Sequence, residues 1–149
     1  MNYAIIEKPR LFNLHGISGT VQNEEYGKTG LGLMNQMWQT VKEANLENTG
    51  INHWVYLPDN RMFTGVELLN AANIPVPEQL ESLEVKLHRY LEHVHIGPYE
   101  ALPQKWSELK SMLRKLGEVI VSPSLEIYGH HCSDKSKLET TILISLEER

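Results

Sequence analysis

Pro123-Ser124-Leu125-Glu126-Ile127-Tyr128 is the stretch from which the fold can be read. It has the apolar and aromatic content of a strand, and alternation places Leu125 and Ile127 on one face. Glu126 and Tyr128 then share the other. If that second face is buried, a carboxylate lies beside an aromatic ring inside the protein. A lone buried carboxylate costs several kcal/mol or takes up a proton, unless something cationic neutralises it. Glu126 therefore asks for a partner.

Working outward, the segment before this strand carries the cleanest amphipathic helix in the chain. Leu102, Trp106, Leu109, Leu113 and Leu116 recur at spacings of 4, 3, 4 and 3, with Pro103 suited to the first turn and Gly117 to the end. Residues 84–96 before it read as one long strand closed by Gly97-Pro98. After Tyr128, residues 133–137 read as a polar loop and residues 138–146 as a returning strand. The first half shows the same order. Residues 1–9 form a lead, 11–17 a strand, and the glycines Gly27, Gly30 and Gly32 a polar loop. Leu33, Met37, Val41 and Ala44 mark a helix that Asn48-Thr49-Gly50 ends. Residues 53–57 and 62–69 make a hairpin around Pro58-Asp59-Asn60, and 73–77 a linker. Each half is strand, helix, strand, strand, with one tryptophan in each helix, Trp38 and Trp106. The expected architecture is α+β: tandem repeats over residues 1–73 and 74–149 within one domain, their two small antiparallel sheets packing together because neither is stable alone.

At 149 residues, with 41% hydrophobic and 22% charged side chains, the chain can bury a core. No apolar run is long enough to span a membrane, and the start lacks the layout of a signal peptide. The single cysteine, Cys132, excludes an internal disulfide and fits a reducing cytoplasm. A net charge of −5 without basic clusters argues against direct nucleic-acid binding.

The order Tyr90, His95-Ile96-Gly97-Pro98-Tyr99, Leu102, Trp106, Leu125-Glu126-Ile127-Tyr128 and Thr140 to Leu146 resembles the GyrI-like small-molecule-binding family. That group includes the effector-binding domains of AraC-type and MerR-type multidrug regulators and is related to the SOUL haem-binding proteins. The likeness is strong from Tyr90 onward and holds only in outline before Asn73; Ser145 stands where the family often has proline. It implies two strand-helix-strand-strand repeats about a pseudo-two-fold axis, with a ligand groove between them. It also implies that Glu126 matches the family's pocket-floor glutamate, the counter-charge to cationic, lipophilic drugs. An aromatic cage attracts a cation through its ring faces, and a desolvated carboxylate adds to that. Laying Tyr56 over Tyr128 sets Trp54 against Glu126. Trp54, Tyr56, Glu126 and Tyr128 are thus expected to line one groove, with Tyr90 near its edge. Core packing on the helix stripes explains Trp38 and Trp106, and Trp106 is also a ligand candidate.

The remaining motifs carry less. His93 and His95 share a strand face, and His130-His131-Cys132 end another strand. They read as exposed strand-end residues, because no CxxC or HExxH spacing supports zinc, and neither haem nor another cofactor is expected. Gly27-Lys28-Thr29 lacks the upstream glycine of a P-loop, since position 22 is Gln22. Three functions follow from the resemblance. The first is a stand-alone binding protein for a hydrophobic or cationic small molecule, with no room in the repeat for a helix-turn-helix. The second is a hydrolase of cyclopropane-bearing toxins that uses Glu126 beside tyrosine as acid or base. The third is a protein partner's inhibitor or accessory, the partner being a regulator or gyrase.

Overall fold

The computed structural model describes residues 2–129 and 132–149. His130 and His131, expected at a strand end, lie outside the described residues. Eight antiparallel strands are joined by two main helices: β1 (Ala4–Ile6), β2 (Arg10–Thr20), α1 (Tyr26–Glu43), β3 (His53–Leu57), β4 (Arg61–Val66), β5 (Glu81–Leu87), β6 (Tyr90–Ile96), α2 (Leu102–Lys115), β7 (Ser124–Tyr128) and β8 (Glu139–Ser145). The strands form one sheet in the order β1-β6-β8-β7-β3-β4-β2-β5. Exchanging each of the first four strands for the strand four places later turns that order into its own reverse. That is the signature of two repeats about a pseudo-two-fold axis.

The expected pair of small sheets is corrected by this order. The halves are joined edge to edge through β3 and β7, which pair from His53↔Ile127 to Tyr56↔Ser124. They also exchange their first strands. β1 pairs with β6, Ala4 opposite Glu92, while β5 pairs with β2, Arg10 opposite Leu87. Three residues of β1 are too few for alternation to reveal, so residues 1–9 read as a lead. The long strand expected over 84–96 is two strands meeting at His88-Arg89. A turn there carries no Gly or Pro to announce it. Arg89 is turned inward, where its guanidinium donates to both carboxylate oxygens of Glu118, at 2.9 and 2.7 Å, and to Glu7 at 3.0 Å.

One sheet face is packed upon itself. Phe12, Val55, Phe63, Val85, Leu87, Tyr90, Leu125 and Leu143 form a single cluster drawn from both ends of the strand order. Such a cluster requires the sheet to roll. β2 bends as the roll proceeds: it pairs with β5 from Arg10 to Gly16 and with β4 from His15 to Thr20. Gly16 stands opposite Gly65 at the bend, where a Cβ on Gly16 would overlap the Thr64 carbonyl oxygen.

The other face carries the helices. Leu102, Leu109 and Leu113 of α2 pack on Leu91, Ile142 and Ile144. Leu33, Met37 and Val41 of α1 pack on β2, β3 and β4. α1 begins at Tyr26, so Gly27, Gly30 and Gly32 are helical, not a loop: tertiary packing outweighs their weak propensity. It ends at Glu43, before Asn45 in a left-handed conformation, and not at Asn48-Thr49-Gly50. His93 and His95, expected to be exposed, alternate with Leu91 onto the α2 side and are 6% and 7% exposed. Among the described residues no helix is long and apolar enough to cross a membrane.

The Arg89 cluster joins Glu7, Glu118 and, through Glu118, Arg149 at 2.9 Å. Arg89 holds the Glu118 carboxyl below its ordinary value of 4.5 in the folded state. A depressed folded value contributes stability above the unfolded value, and that contribution is lost as pH falls through the folded one. As pH falls below that ordinary value, the urea midpoint of the wild type should therefore drop more steeply than that of Glu118→Gln. Parallel curves would deny Glu118 this role.

Candidate ligand site

β3 and β7 meet along the sheet's midline, with Trp54 directly opposite Glu126. The offset that lays Tyr56 on Tyr128 also lays Trp54 on Glu126, so the pseudo-axis passes through this cross-strand pair. Alternation sends Trp54, Tyr56, Glu126 and Tyr128 to the helix side of the sheet, where α1 and α2 diverge. A cavity of about 1100 Å³ opens between them, and all four residues line it.

Glu126 lies at its centre and is 3% exposed. The phenolic O–H groups of Tyr56 and Tyr128 donate to its Oε1 at 2.5 and 2.7 Å, and the indole N–H of Trp106 donates to Oε2 at 2.7 Å. All three partners donate, which suits a carboxylate that can only accept. Burial first, and then the neighbouring Glu126 charge, push both phenols well above their ordinary value. The phenols thus keep their protons and remain donors. Hydrogen bonds to a charged group are worth about 1.5–3 kcal/mol each, and three of them offset much of the desolvation of one carboxylate. Among the described residues no basic side chain makes an ion pair with Glu126. Its hydrogen-bond partners among the described residues are these neutral donors.

The rings around it meet edge to face. Tyr26 contacts Tyr56 at 5.6 Å between centroids, Tyr56 contacts Trp106 at 5.6 Å, Trp54 contacts Tyr128 at 5.3 Å, and Tyr99 contacts Tyr128 at 5.4 Å. Tyr26 opens α1, and Tyr99 sits in the short turn that leads into α2. The two tyrosines therefore flank the cavity from corresponding places in the two halves. Glu24 and Glu25 add two carboxylates to the lining, against one lysine, Lys110, whose ammonium stands 5.5 Å above the Trp106 ring.

Five of the expected site residues are thus brought together: Trp54, Tyr56, Trp106, Glu126 and Tyr128. Tyr90 is not. It is 4% exposed on the opposite face, packed with Phe12, Val85 and Leu87. Its register, Tyr90 opposite Ser145, sets Leu91 and not Tyr90 toward the helices. Trp38 is held away from the carboxylate, its N–H donating to Asn52 at 2.7 Å. Sequence reasoning singled out neither Tyr26 nor Tyr99 as a lining residue. A tyrosine at or just before the start of each helix was the available signal. Among the described residues no three His, Cys, Asp or Glu side chains converge as metal ligands.

Comparison with known proteins gives the same outline. The EcmrR C-terminal domain covers 100% of both chains, with a TM-score of 0.74 at 17% identity. EcmrR in its complex with DNA is covered over 58% of its chain by 99% of this one, with a TM-score of 0.72 at 15% identity. SAV2435 bound to tetraphenylphosphonium matches over 99% of this chain and 94% of that one, with a TM-score of 0.68 at 19% identity. No curated protein sequence matches the chain. The GyrI-like small molecule binding domain matches residues 1–147, nearly the whole length, and the chain belongs to that family.

Proposed function

We propose that this chain is a binding module for a hydrophobic, cationic small molecule, held between α1 and α2 with Glu126 as its counter-charge. The observation that carries the reading is the carboxylate, held by neutral donors, at the centre of an aromatic-lined cavity. A cation over ring faces gains about 0.5–2 kcal/mol per contact as it is desolvated, and a buried charge of opposite sign adds to it. The excess of lining carboxylates over Lys110 supports the same sign of ligand. The tetraphenylphosphonium bound by SAV2435, a protein of the same fold, is a ligand of this class. The role is that of an effector-sensing or sequestering domain, with any effect on transcription or on gyrase passing through a protein partner. A cytoplasmic setting suits the single cysteine.

Binding is favoured over hydrolysis by the way Glu126 is engaged. A carboxylate offers about four acceptor positions, and neutral donors occupy three of them here. Little is left to hold a water or a leaving group. The test is a fluorescence titration with tetraphenylphosphonium on wild type and Glu126→Gln. Saturable quenching in the wild type should weaken at least tenfold in the variant, about 1.4 kcal/mol. Equal affinity in both would remove Glu126 as the counter-charge. Turnover of an electrophilic cyclopropane-bearing substrate by the wild type, abolished in Glu126→Gln, would restore the hydrolase reading.

A further inference from the structure

We infer that Gly30 is the specificity-determining residue of this cavity, setting how bulky a ligand it admits by leaving room for the Trp54 indole against the backbone of α1. The inference rests on the binding role proposed above. Glycine inside a helix is unfavourable relative to alanine, so a buried one needs a reason. α1 holds three glycines, and they differ. A Cβ on Gly27 or Gly32 would meet nothing within 4 Å. A Cβ on Gly30 would overlap Trp54 Cζ3 and come within 2.5 Å of Cη2 and 2.7 Å of Cε3. The missing side chain of Gly30 is the space that the six-membered ring of Trp54 occupies.

That ring has few ways to retreat. Trp54 is 7% exposed, and Val21, Leu33 and Met62 pack around it. Its other neighbour is Tyr128, met edge to face at 5.3 Å, whose hydroxyl donates to Glu126. The open direction is the cavity. A methyl group at position 30 therefore pushes the indole toward Tyr128 and into the ligand's space. Bulky tetrahedral cations lose room first, while flat aromatic ones can still lie between the rings.

The experiment compares the full chain with Gly30→Ala and Gly32→Ala by calorimetric titration. The probes are tetraphenylphosphonium, which is bulky, and N-methylacridinium, which is flat. In Gly30→Ala the first affinity should fall at least tenfold and the second less than threefold; Gly32→Ala should change neither. Without ligand, the indole N–H resonances of the three tryptophans report the cause. Trp54 should shift in Gly30→Ala, Trp106 with it through Glu126, and Trp38 should stay. If Gly30→Ala does not fold, Gly30→Ala/Trp54→Phe decides, because a phenyl ring lacks Cζ3 and Cη2. The double variant should then fold and bind tetraphenylphosphonium as Trp54→Phe does, and its failure to do so overturns the inference. Unchanged selectivity with an unmoved Trp54 resonance in Gly30→Ala overturns it too. A wild type that binds neither cation sinks the binding reading and the specificity role together.

Discussion

Phe63→Ala is expected to cost about 3–5 kcal/mol, the range for removing a fully buried phenylalanine. Phe63 is 1% exposed and belongs to the cluster that the rolled sheet closes upon. Its ring packs so closely over Gly65 that a Cβ there would overlap Phe63 Cε1. The surrounding groups are strand side chains fixed by their registers, so the hole cannot collapse cheaply. A domain of this size typically has about 5–15 kcal/mol of stability, so much of it goes. The melting temperature should fall by roughly 10 °C. Chemical denaturation monitored by circular dichroism gives the free energy directly. A cost below about 1 kcal/mol would mean that the cluster is not the mechanical centre of the sheet.

Gly16→Ala should be of similar severity, about 3 kcal/mol or more, although it adds one carbon and removes nothing. The added Cβ would overlap the Thr64 carbonyl oxygen and lie 2.6 Å from Gly65 Cα. Both neighbours are backbone, and neither can step aside without parting β2 from β4. Gly19→Ala, three residues on, is the control. The nearest atoms to its Cβ would belong to the Leu33 side chain, Cδ2 first at 3.1 Å, and a leucine end can rotate. Its cost should stay near 1 kcal/mol. Equal midpoints for the two variants in urea would contradict the tight crossing at Gly16.

α2 was legible because Leu102, Leu109 and Leu113 repeat at helical spacing and each is buried. The strand at Leu125–Tyr128 was legible because its alternation is strict. The overlay of Tyr56 on Tyr128 was enough to bring Trp54 to Glu126. What escaped depends on partners distant in the chain. The break at His88-Arg89 is held by Glu118 and Glu7 and by no local turn residue. The face that Tyr90 takes is set by its register with β8 and could not be assigned while 84–96 was read as one strand. Gly30 reads as a loop residue until the indole that fills its space is known.

The position of the pseudo-axis has a consequence for how such a site can arise. Two identical chains meeting across an axis must place the same residue on both sides of it. At this pair that would mean two carboxylates repelling one another, or two indoles carrying no charge. A homodimer of half-length chains could therefore build the sheet and the groove, but not a single counter-ion at their centre. Joining the halves in one polypeptide frees the two positions to differ, and here one became Glu126 and the other Trp54. Covalent fusion thus gives a symmetric scaffold a polar side and an apolar side within one binding site.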